Sequence, residues 1–175
     1  YQRRYGVDSV NEIIKKAKEE NCLVSYNHPV WSLQDHEDYS ELKGIWGVEW
    51  HNTGCVRAGY EDTMQPIDTL LKKGERVFPL ATDDAHHIDD CFGGFVMIKA
   101  KQLEYSVVFD ALRKGGFYSS TGPEIFELTY EDGKINVLQA LTSLKADGHD
   151  AATRLIDSIF NSVFVEKVVP IALKT

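Results

Sequence analysis

The sequence predicts an α/β fold in which short apolar strands alternate with amphipathic helices. Strand-like runs read CLVSYNHP (22–29), WGVEWHN (46–52) and RVFPLATDD (76–84). Segments with helical periodicity separate these runs, and such alternation indicates βα units on a largely parallel sheet. The chain of 175 residues is 43% hydrophobic and 26% charged, which fits one globular core.

The helices follow from the spacing of apolar residues and from signals at the helix ends. Ser9 and Glu12 stand at capping-box spacing, and apolar residues within 9–20 recur at i, i+3, i+4 and i+7. These apolar residues are Val10, Ile13, Ile14 and Ala17. Further helices are expected at 37–43, 62–73, 103–114 and 150–160. Gly74 and Gly115 are placed to end two of them, since glycine accepts the left-handed conformation that commonly closes a helix.

The remaining strands are marked by composition and by turn residues. GGFVMIKA (93–100) predicts a fourth strand, and EIFELTYEDGKINV (124–137) predicts a hairpin that turns at Asp132-Gly133. Pro79 lies inside the third strand and cannot donate a hydrogen bond to a neighbouring strand. We therefore expect a bulge or locally broken pairing at Pro79.

Charge, hydropathy and cysteine usage exclude some classes of partner. The net charge is −8 with acids and bases interspersed, which argues against binding nucleic acid through a broad basic surface. No apolar run approaches the roughly 18 residues of a membrane span, so we expect no membrane partner. The three cysteines are scattered, without a CxxC pair. This pattern favours a reduced, cytoplasmic protein.

The end of the third strand carries an unusual cluster of acids and histidines. In PLATDDAHHIDD (79–90), Asp84 and His86 lie on one face of the extended chain and Asp83 on the other, because side chains alternate along a strand. Neutral imidazole and ionised carboxylate are usual ligands of zinc, manganese and iron. A solvated acidic turn is the alternative interpretation. Asp83, like His51 in the preceding strand, is expected to be a hydrogen-bonded structural group.

Polar side chains also end the two preceding strands. His28 follows the first strand, and Glu49 and Asn52 end the second. Because the carboxyl ends of strands in a β/α array meet at one edge, where such folds place their chemistry, we expect these side chains to gather. We predict that His28, Asp84 and His86 converge to within the coordination distance of one ion.

Five segments, in order, resemble the C-terminal half of a PHP domain, from the polymerase-and-histidinol-phosphatase superfamily of metal-dependent phosphoesterases. They read SYNHPVW, GVEWHN, LLKKGERVFPLATDDAHH, GGFVMIKA and ALRKGGFYSSTGPEI. The resemblance covers about residues 7–137 and implies a distorted, seven-stranded β/α barrel with two or three zinc, manganese or iron ions. On this basis, 1–123 form the C-terminal part of such a barrel, and 124–175 form a β-hairpin and a C-terminal extension.

The resemblance also assigns roles to individual residues. His28 matches the ligand of the HP motif, and Asp84 and His86 match a closing Asp-x-His pair of ligands, which we also expect to be the catalytic residues. The residues expected to line the site are Glu49, Asn52 and His87. Apart from the resemblance, the candidates for phosphate contacts are Arg57, Lys99 and the backbone amides of Gly93 and Gly94, with solvated surface charges as the alternative interpretation of Arg57 and Lys99.

The sequence departs from the family pattern at both ends. The His-x-His pair of the family's first strand has no counterpart, because His28 is the earliest histidine. We therefore interpret the chain as a fragment with little phosphatase activity of its own, even with added manganese or zinc. A partial barrel leaves open strand edges, so we also expect self-association. After Val137, the sequence does not resemble the family's β-rich tail.

The activity that the resemblance implies is hydrolysis of a small phosphorylated substrate. Bound metal ions lower the pKa of a water molecule and neutralise phosphoryl oxygens, which permits in-line attack on phosphorus. Two other classes stay open. One is a non-catalytic remnant that serves as an interaction module. The other is an amidohydrolase-like barrel acting on carbon–nitrogen bonds, which the TDDAH and STGPEI segments fit less well.

Overall fold

A computed structural model of the chain describes residues 6–131 and 134–140. The helices are Val7–Glu19 (α1), His36–Tyr39 (α2), Thr53–Arg57 (α3), Gln65–Lys72 (α4) and Tyr105–Lys114 (α5), with a 3₁₀ turn at Ile88–Asp90. The strands are Ser25–Tyr26 (β1), Gly47–Asn52 (β2), Phe78–Thr82 (β3), Phe95–Ile98 (β4), Phe117–Ser120 (β5), Glu124–Glu131 (β6) and Lys134–Ala140 (β7).

The centre of the fold is a parallel sheet in the order β1-β2-β3. Helices and loops connect these strands, so the expected mixed α/β class is confirmed. The strands of the described residues form this three-stranded sheet and two separate antiparallel pairs, and they do not close into a barrel. The carboxyl ends of the three parallel strands lie at one edge, which is where the candidate site is built.

The fourth strand does not extend the parallel sheet, and that part of the prediction is wrong. β4 pairs antiparallel with β5, from Phe95 opposite Ser120 to Ile98 opposite Phe117. After α5, Gly115 at φ 77° ends the helix, and the chain then runs back along β4. Helical periodicity between two strands does not specify their relative direction, since a helix can also connect an antiparallel pair.

A β-bulge sits beside the proline of β3. The register between β2 and β3 shifts between Glu49 and His51, so Trp50 is the extra residue, while Pro79 keeps its place in the pairing. The irregularity expected at Pro79 itself is therefore not found, because the bulge lies in the neighbouring strand, opposite Leu80 and Ala81. In a regular strand Glu49 and Asn52 would face opposite sides. The bulge reverses the alternation, and Asn52 Nδ2 donates to Glu49 Oε2 at 3.1 Å.

Two apolar clusters support this edge of the sheet. The larger one packs α4 against the parallel strands, with Ile67, Leu70 and Val48 completely buried. The smaller one joins Phe78 of β3 to Phe117 of β5. Burial of these side chains supplies the main driving force that holds the strand ends in register.

The helix ends agree with the sequence at some positions and differ at others. α1 starts after Gly6 without a side-chain cap, so Ser9 lies inside the helix and the predicted capping box is wrong. Ile14 is buried, whereas Ile13 is 54% exposed, because the helix packs only a narrow stripe on the core. Gly74 has a φ of 85° and closes α4 as predicted.

The predicted hairpin is confirmed. β6 and β7 pair antiparallel, with Glu131 opposite Lys134 across a two-residue connection. The turn residues 132–133 and the predicted helix at 150–160 lie outside the described residues. Among the helices that the structure does describe, none combines the length and apolar composition of a membrane span.

Candidate functional site

Glu49 is the hub of the carboxyl edge of the parallel sheet. Its side chain is buried, and its carboxylate accepts hydrogen bonds from the backbone N–H of His28 at 2.8 Å, from Thr82 Oγ1 at 2.7 Å and from Asn52. These donors stand at the ends of β1, β3 and β2 respectively. One carboxylate therefore ties together the three strand ends that the sequence predicted to gather.

Asn52 links this hub to the acidic end of β3. Its Nδ2 donates to Glu49 Oε2 at 3.1 Å and to Asp84 Oδ2 at 3.3 Å, while its Oδ1 accepts the N–H of Cys55 at 2.9 Å. A single amide thus bridges two carboxylates. Because both carboxylates carry a negative charge and the amide between them is neutral, the arrangement produces a local negative potential.

Two predicted ligands have left-handed backbone conformations. His28 has a φ of 35° and Asp84 has a φ of 51°. Such values are uncommon for residues other than glycine and carry a conformational cost; Asn21, Leu33 and Phe92 share them outside the site. Each residue lies two positions after the end of a parallel strand, Tyr26 for His28 and Thr82 for Asp84. The turns therefore aim both side chains at the same edge of the sheet.

A cavity of about 410 Å³ opens beside these residues. Its lining residues are His28, Trp31, Gly54, Cys55, Arg57, Asp84, His86 and Asp90. An adjoining recess of about 20 Å³ is lined by several residues that include Glu49 and Asn52. The three predicted metal ligands thus share one cavity, and two of the three predicted lining residues, Glu49 and Asn52, line the adjoining recess.

The three predicted ligands do not, however, converge on a single ion. Among the described residues, no three His, Cys, Asp or Glu side chains are close enough together to hold a metal. His86 is exposed, and its Nδ1 donates to the backbone oxygen of Asp84 at 2.7 Å. His28 Nδ1 is 2.9 Å from Ser32 Oγ. Both rings are therefore held by their own loops, and metal binding stays a prediction.

Cys55 is a site residue that sequence reasoning missed. It lies in α3 and lines both the cavity and the recess. Burial raises the pKa of its thiol, and the nearby carboxylates of Asp84 and Glu49 raise it further. The thiol thus registers the negative potential of the site. No motif surrounds Cys55 in the sequence. Its position three residues after Asn52 is the one signal that could have indicated it.

Asp83 has a different environment from its neighbour Asp84. Its carboxylate accepts hydrogen bonds from the backbone amides of Phe92 at 2.6 Å, Gly93 at 2.8 Å and Gly94 at 2.7 Å, and from Thr53 Oγ1 at 3.0 Å. Burial alone would raise the pKa of Asp83, but these hydrogen bonds outweigh burial and hold the pKa below its ordinary value. Asp83 anchors the loop that follows β3.

This anchoring overturns one expectation about phosphate binding. The amides of Gly93 and Gly94 were expected to face phosphate, but both donate to Asp83.

Glycine is required at position 94 for a steric reason. A Cβ there would lie 2.6 Å from the backbone oxygen of Thr82 and 2.7 Å from His51 Cδ2.

His51 belongs to the same side of the strand end as Asp83. Its Nδ1 is 3.0 Å from both carboxylate oxygens of Asp62, and its Nε2 is 3.2 Å from Thr53 Oγ1. His51 is buried. The prediction that His51 and Asp83 are hydrogen-bonded structural groups is confirmed by these contacts, whereas the partner Asp62 was not foreseen.

The candidate phosphate contacts differ in their placement. Arg57 lines the cavity, but its Nη1 donates to the backbone oxygen of Asp89 at 2.6 Å and to Asp90 Oδ1 at 3.3 Å. Lys99 follows the far end of β4 and is exposed. Within the described residues, neither Lys99 nor His87 lines the cavity or the recess, so the geometry gives no support to their predicted roles.

Comparison of the chain with models of protein families, with curated proteins and with solved structures gave no match. The likeness to PHP domains therefore rests on the five quoted segments and on the residues they carry.

Proposed function

We propose that the chain carries part of the active site of a metal-dependent phosphoesterase, which hydrolyses a small phosphorylated substrate. The observation that carries the proposal is the bridge from Glu49 through Asn52 to Asp84 at the edge of the cavity. Two carboxylates held together by one amide favour a cation beside them. Carboxylate, amide and imidazole groups at parallel strand ends suit zinc, manganese or iron.

The hydrogen bond of His86 supports the same proposal. A backbone oxygen can only accept, so His86 Nδ1 carries the proton in its bond to Asp84, and Nε2 of the neutral ring keeps a free lone pair. Metal-binding histidines usually make a bond of this kind through the nitrogen that does not bind the metal. This bond therefore holds a neutral His86 ring in the tautomer that a ligand, or a base acting at Nε2, requires.

The resemblance implies two or three ions in a complete domain. A bound ion would supply water of lowered pKa and neutralise phosphoryl oxygens. The chain's own residues then have separate tasks. His28 and Asp84 would hold an ion, His86 would bind it or accept a proton at Nε2, and Glu49 would keep the three strand ends in place. Arg57 would contact a phosphoryl oxygen after leaving Asp90.

One observation favours the alternative of a non-catalytic interaction module. No three candidate ligands of the described residues are gathered closely enough for an ion. For such a module, the strand-end network would be purely structural, and added metal would bind weakly or not at all.

The three cysteines are unpaired, in keeping with the reducing, cytoplasmic location that we propose for either function.

Titration calorimetry of inorganic phosphate, with and without manganese, tests the proposal. Binding is the readout because the family's first-strand ligands have no counterpart in this sequence, so turnover by this chain is expected to be low. We expect phosphate to bind only when manganese is present.

The matched variants for this titration are Asp84→Asn and Asp89→Asn, which remove the same charge from exposed positions five residues apart. Asp84→Asn should abolish manganese-dependent phosphate binding, and Asp89→Asn should leave it intact. Phosphate affinity that is the same with and without manganese, or equal phosphate affinities in the two variants, would contradict the proposed function.

A further inference from the structure

Trp31 is a large aromatic side chain that stands exposed on the cavity wall. It is 53% exposed, whereas Trp50 is 4% exposed, and it lines both the cavity and the recess. Tryptophan is highly buried on average, because its large apolar surface is costly to hydrate. An exposed tryptophan that faces a cavity is therefore placed where a ligand can cover it.

The turn that carries Trp31 places its ring beside His28. The backbone N–H of Ser32 donates to the backbone oxygen of His28 at 3.0 Å, and that of Gln34 donates to Pro29 at 3.0 Å. The rings of Trp31 and His28 meet edge to face, with centroids 5.2 Å apart and planes at 76°. The indole is thus in place before a ligand arrives, which lowers the entropic cost of binding.

The cavity is larger than a phosphate group needs. A volume of about 410 Å³ falls within the ~300–1,000 Å³ that is common for small-molecule sites. The proposed function places the phosphoryl group near His28, Asp84 and His86. The rest of the substrate must then occupy the remaining volume, next to the ring that touches His28.

We propose that Trp31 forms the subsite for the alcohol part of the substrate and selects a planar aromatic ring there. This inference rests on the proposed function, because the phosphoryl end fixes where the alcohol part lies. An indole face offers stacking to a flat ring, and a saturated group of the same size gains only apolar contact. The substrate class is a phosphoester whose alcohol carries an aryl group or a nucleobase.

Two pairs of ligands isolate the contribution of the aromatic ring. Phenyl phosphate is compared with cyclohexyl phosphate, and adenosine 5′-monophosphate is compared with ribose 5-phosphate, all in the presence of manganese. The first pair tests a ring close to phosphorus, and the second tests a ring held further away. Dissociation constants are measured by calorimetry. We expect the aromatic member of one pair to bind about 5- to 150-fold more tightly, as is common for a base stacked on an aromatic side chain.

Three variants assign this preference to Trp31. Trp31→Ala should remove the preference, and Trp31→Phe should keep most of it because a smaller aromatic face remains. Leu33→Ala is the matched control, since Leu33 lies in the same turn and is 86% exposed but does not line the cavity. It should bind all four ligands as the unaltered chain does.

The outcomes separate the subsite from the proposed function. Equal affinities within both pairs, or a preference that survives Trp31→Ala, would overturn the subsite. Aromatic preference that does not depend on manganese would support the subsite and contradict the metal-dependent function. Manganese-dependent binding without aromatic preference would support the metal-dependent function and contradict the subsite. Failure of all four ligands to bind would contradict both.

Discussion

Asp83 and Asp84 are consecutive carboxylates at the end of β3, yet they have opposite surroundings. Asp83 is surrounded by donors, with three backbone amides and the hydroxyl of Thr53 on its oxygens. Asp84 is exposed and shares one amide, that of Asn52, with the buried carboxylate of Glu49. Groups of the protein itself thus satisfy the oxygens of Asp83. Asp84 shares its amide donor with a second carboxylate and faces a cavity.

The difference shows how one strand end serves both structure and chemistry. Both residues follow the last residue of β3, Thr82, and the left-handed backbone of Asp84 turns its side chain away from that of Asp83. On one side, Asp83, Thr53, His51 and Asp62 form a hydrogen-bonded cluster that holds the loop after β3. On the other side, that loop and the strand ends present Asp84 beside the cavity. The structural side therefore positions the side that we propose to be functional.

The largest expected effect on stability comes from removing the Asp83 carboxylate. Asp83→Ala leaves three backbone amides without their acceptor, and we expect the free energy of unfolding to fall by about 2–4 kcal/mol. Urea unfolding followed by circular dichroism measures it. Asp84→Asn is the comparison and should change stability by less than about 0.5 kcal/mol, since the side chain is exposed and asparagine tolerates the left-handed backbone of this position. Equal losses in the two variants would remove the distinction between the two sides.

A smaller loss is expected when the loop backbone is pushed away from β3. In Gly94→Ala, the added Cβ would meet the backbone oxygen of Thr82 at 2.6 Å, so the loop must shift at a cost of about 1–3 kcal/mol. Gly116→Ala is the control, because its Cβ would come no closer than 3.3 Å to any neighbour. Thermal unfolding of both variants gives the answer. A Gly94→Ala protein as stable as the control would mean that the close contact is not rigid.

The pH dependence of stability sharpens the same comparison. The pKa of Asp83 is lowered in the folded protein, so its contribution is fully present above the ordinary carboxyl value of 3.8 and is lost as pH falls through the lowered value. The difference in unfolding free energy between the unaltered chain and Asp83→Asn should therefore shrink in strong acid. Urea unfolding from pH 6 down to pH 2 measures this difference. A gap that stays constant over that range would show that the charge of Asp83 is not what stabilises the loop.

The smallest effect is expected at the cavity rim. Arg57→Gln removes an exposed ion pair with Asp90 and a hydrogen bond to the backbone oxygen of Asp89, and it should lower stability less than the changes above. The same substitution should weaken manganese-dependent phosphate binding if Arg57 turns toward a phosphoryl oxygen. Lys99→Gln is the control, since Lys99 does not line the cavity. Unchanged phosphate affinity in Arg57→Gln would leave this arginine as a purely structural link to the 3₁₀ turn.

The sequence identified the elements of the site through two short-range signals. Apolar runs placed the three parallel strands, and residues within or just after those runs include His28, Glu49 and Asp84, which lie around one cavity and its recess. The expected alternation also separated Asp83 from Asp84, although both residues lie after the end of β3. These features depend on local hydrophobicity and on the two-residue period of a strand, both of which can be read from a single sequence.

Other features depend on contacts that no local pattern specifies. The bulge at Trp50 arises from pairing with β3, and it alone explains why Glu49 and Asn52 meet. The amides of Gly93 and Gly94 resemble a phosphate-binding loop in sequence, but a carboxylate of the same protein takes them. Trp31, likewise, lies on the cavity wall because of the turn after His28, which no local pattern predicts. Loop hydrogen bonds of this kind are tertiary and stay hidden in the sequence.

The most direct test of the division between the two sides is the affinity of the chain for manganese. Titration calorimetry on the unaltered chain, Asp84→Asn and Asp89→Asn compares variants with the same loss of charge. We predict that Asp84→Asn weakens manganese binding at least about 10-fold while its urea unfolding stays unchanged, and that Asp89→Asn binds normally. Equal manganese affinity in all three proteins would contradict the assignment of Asp84 and the cavity to metal binding.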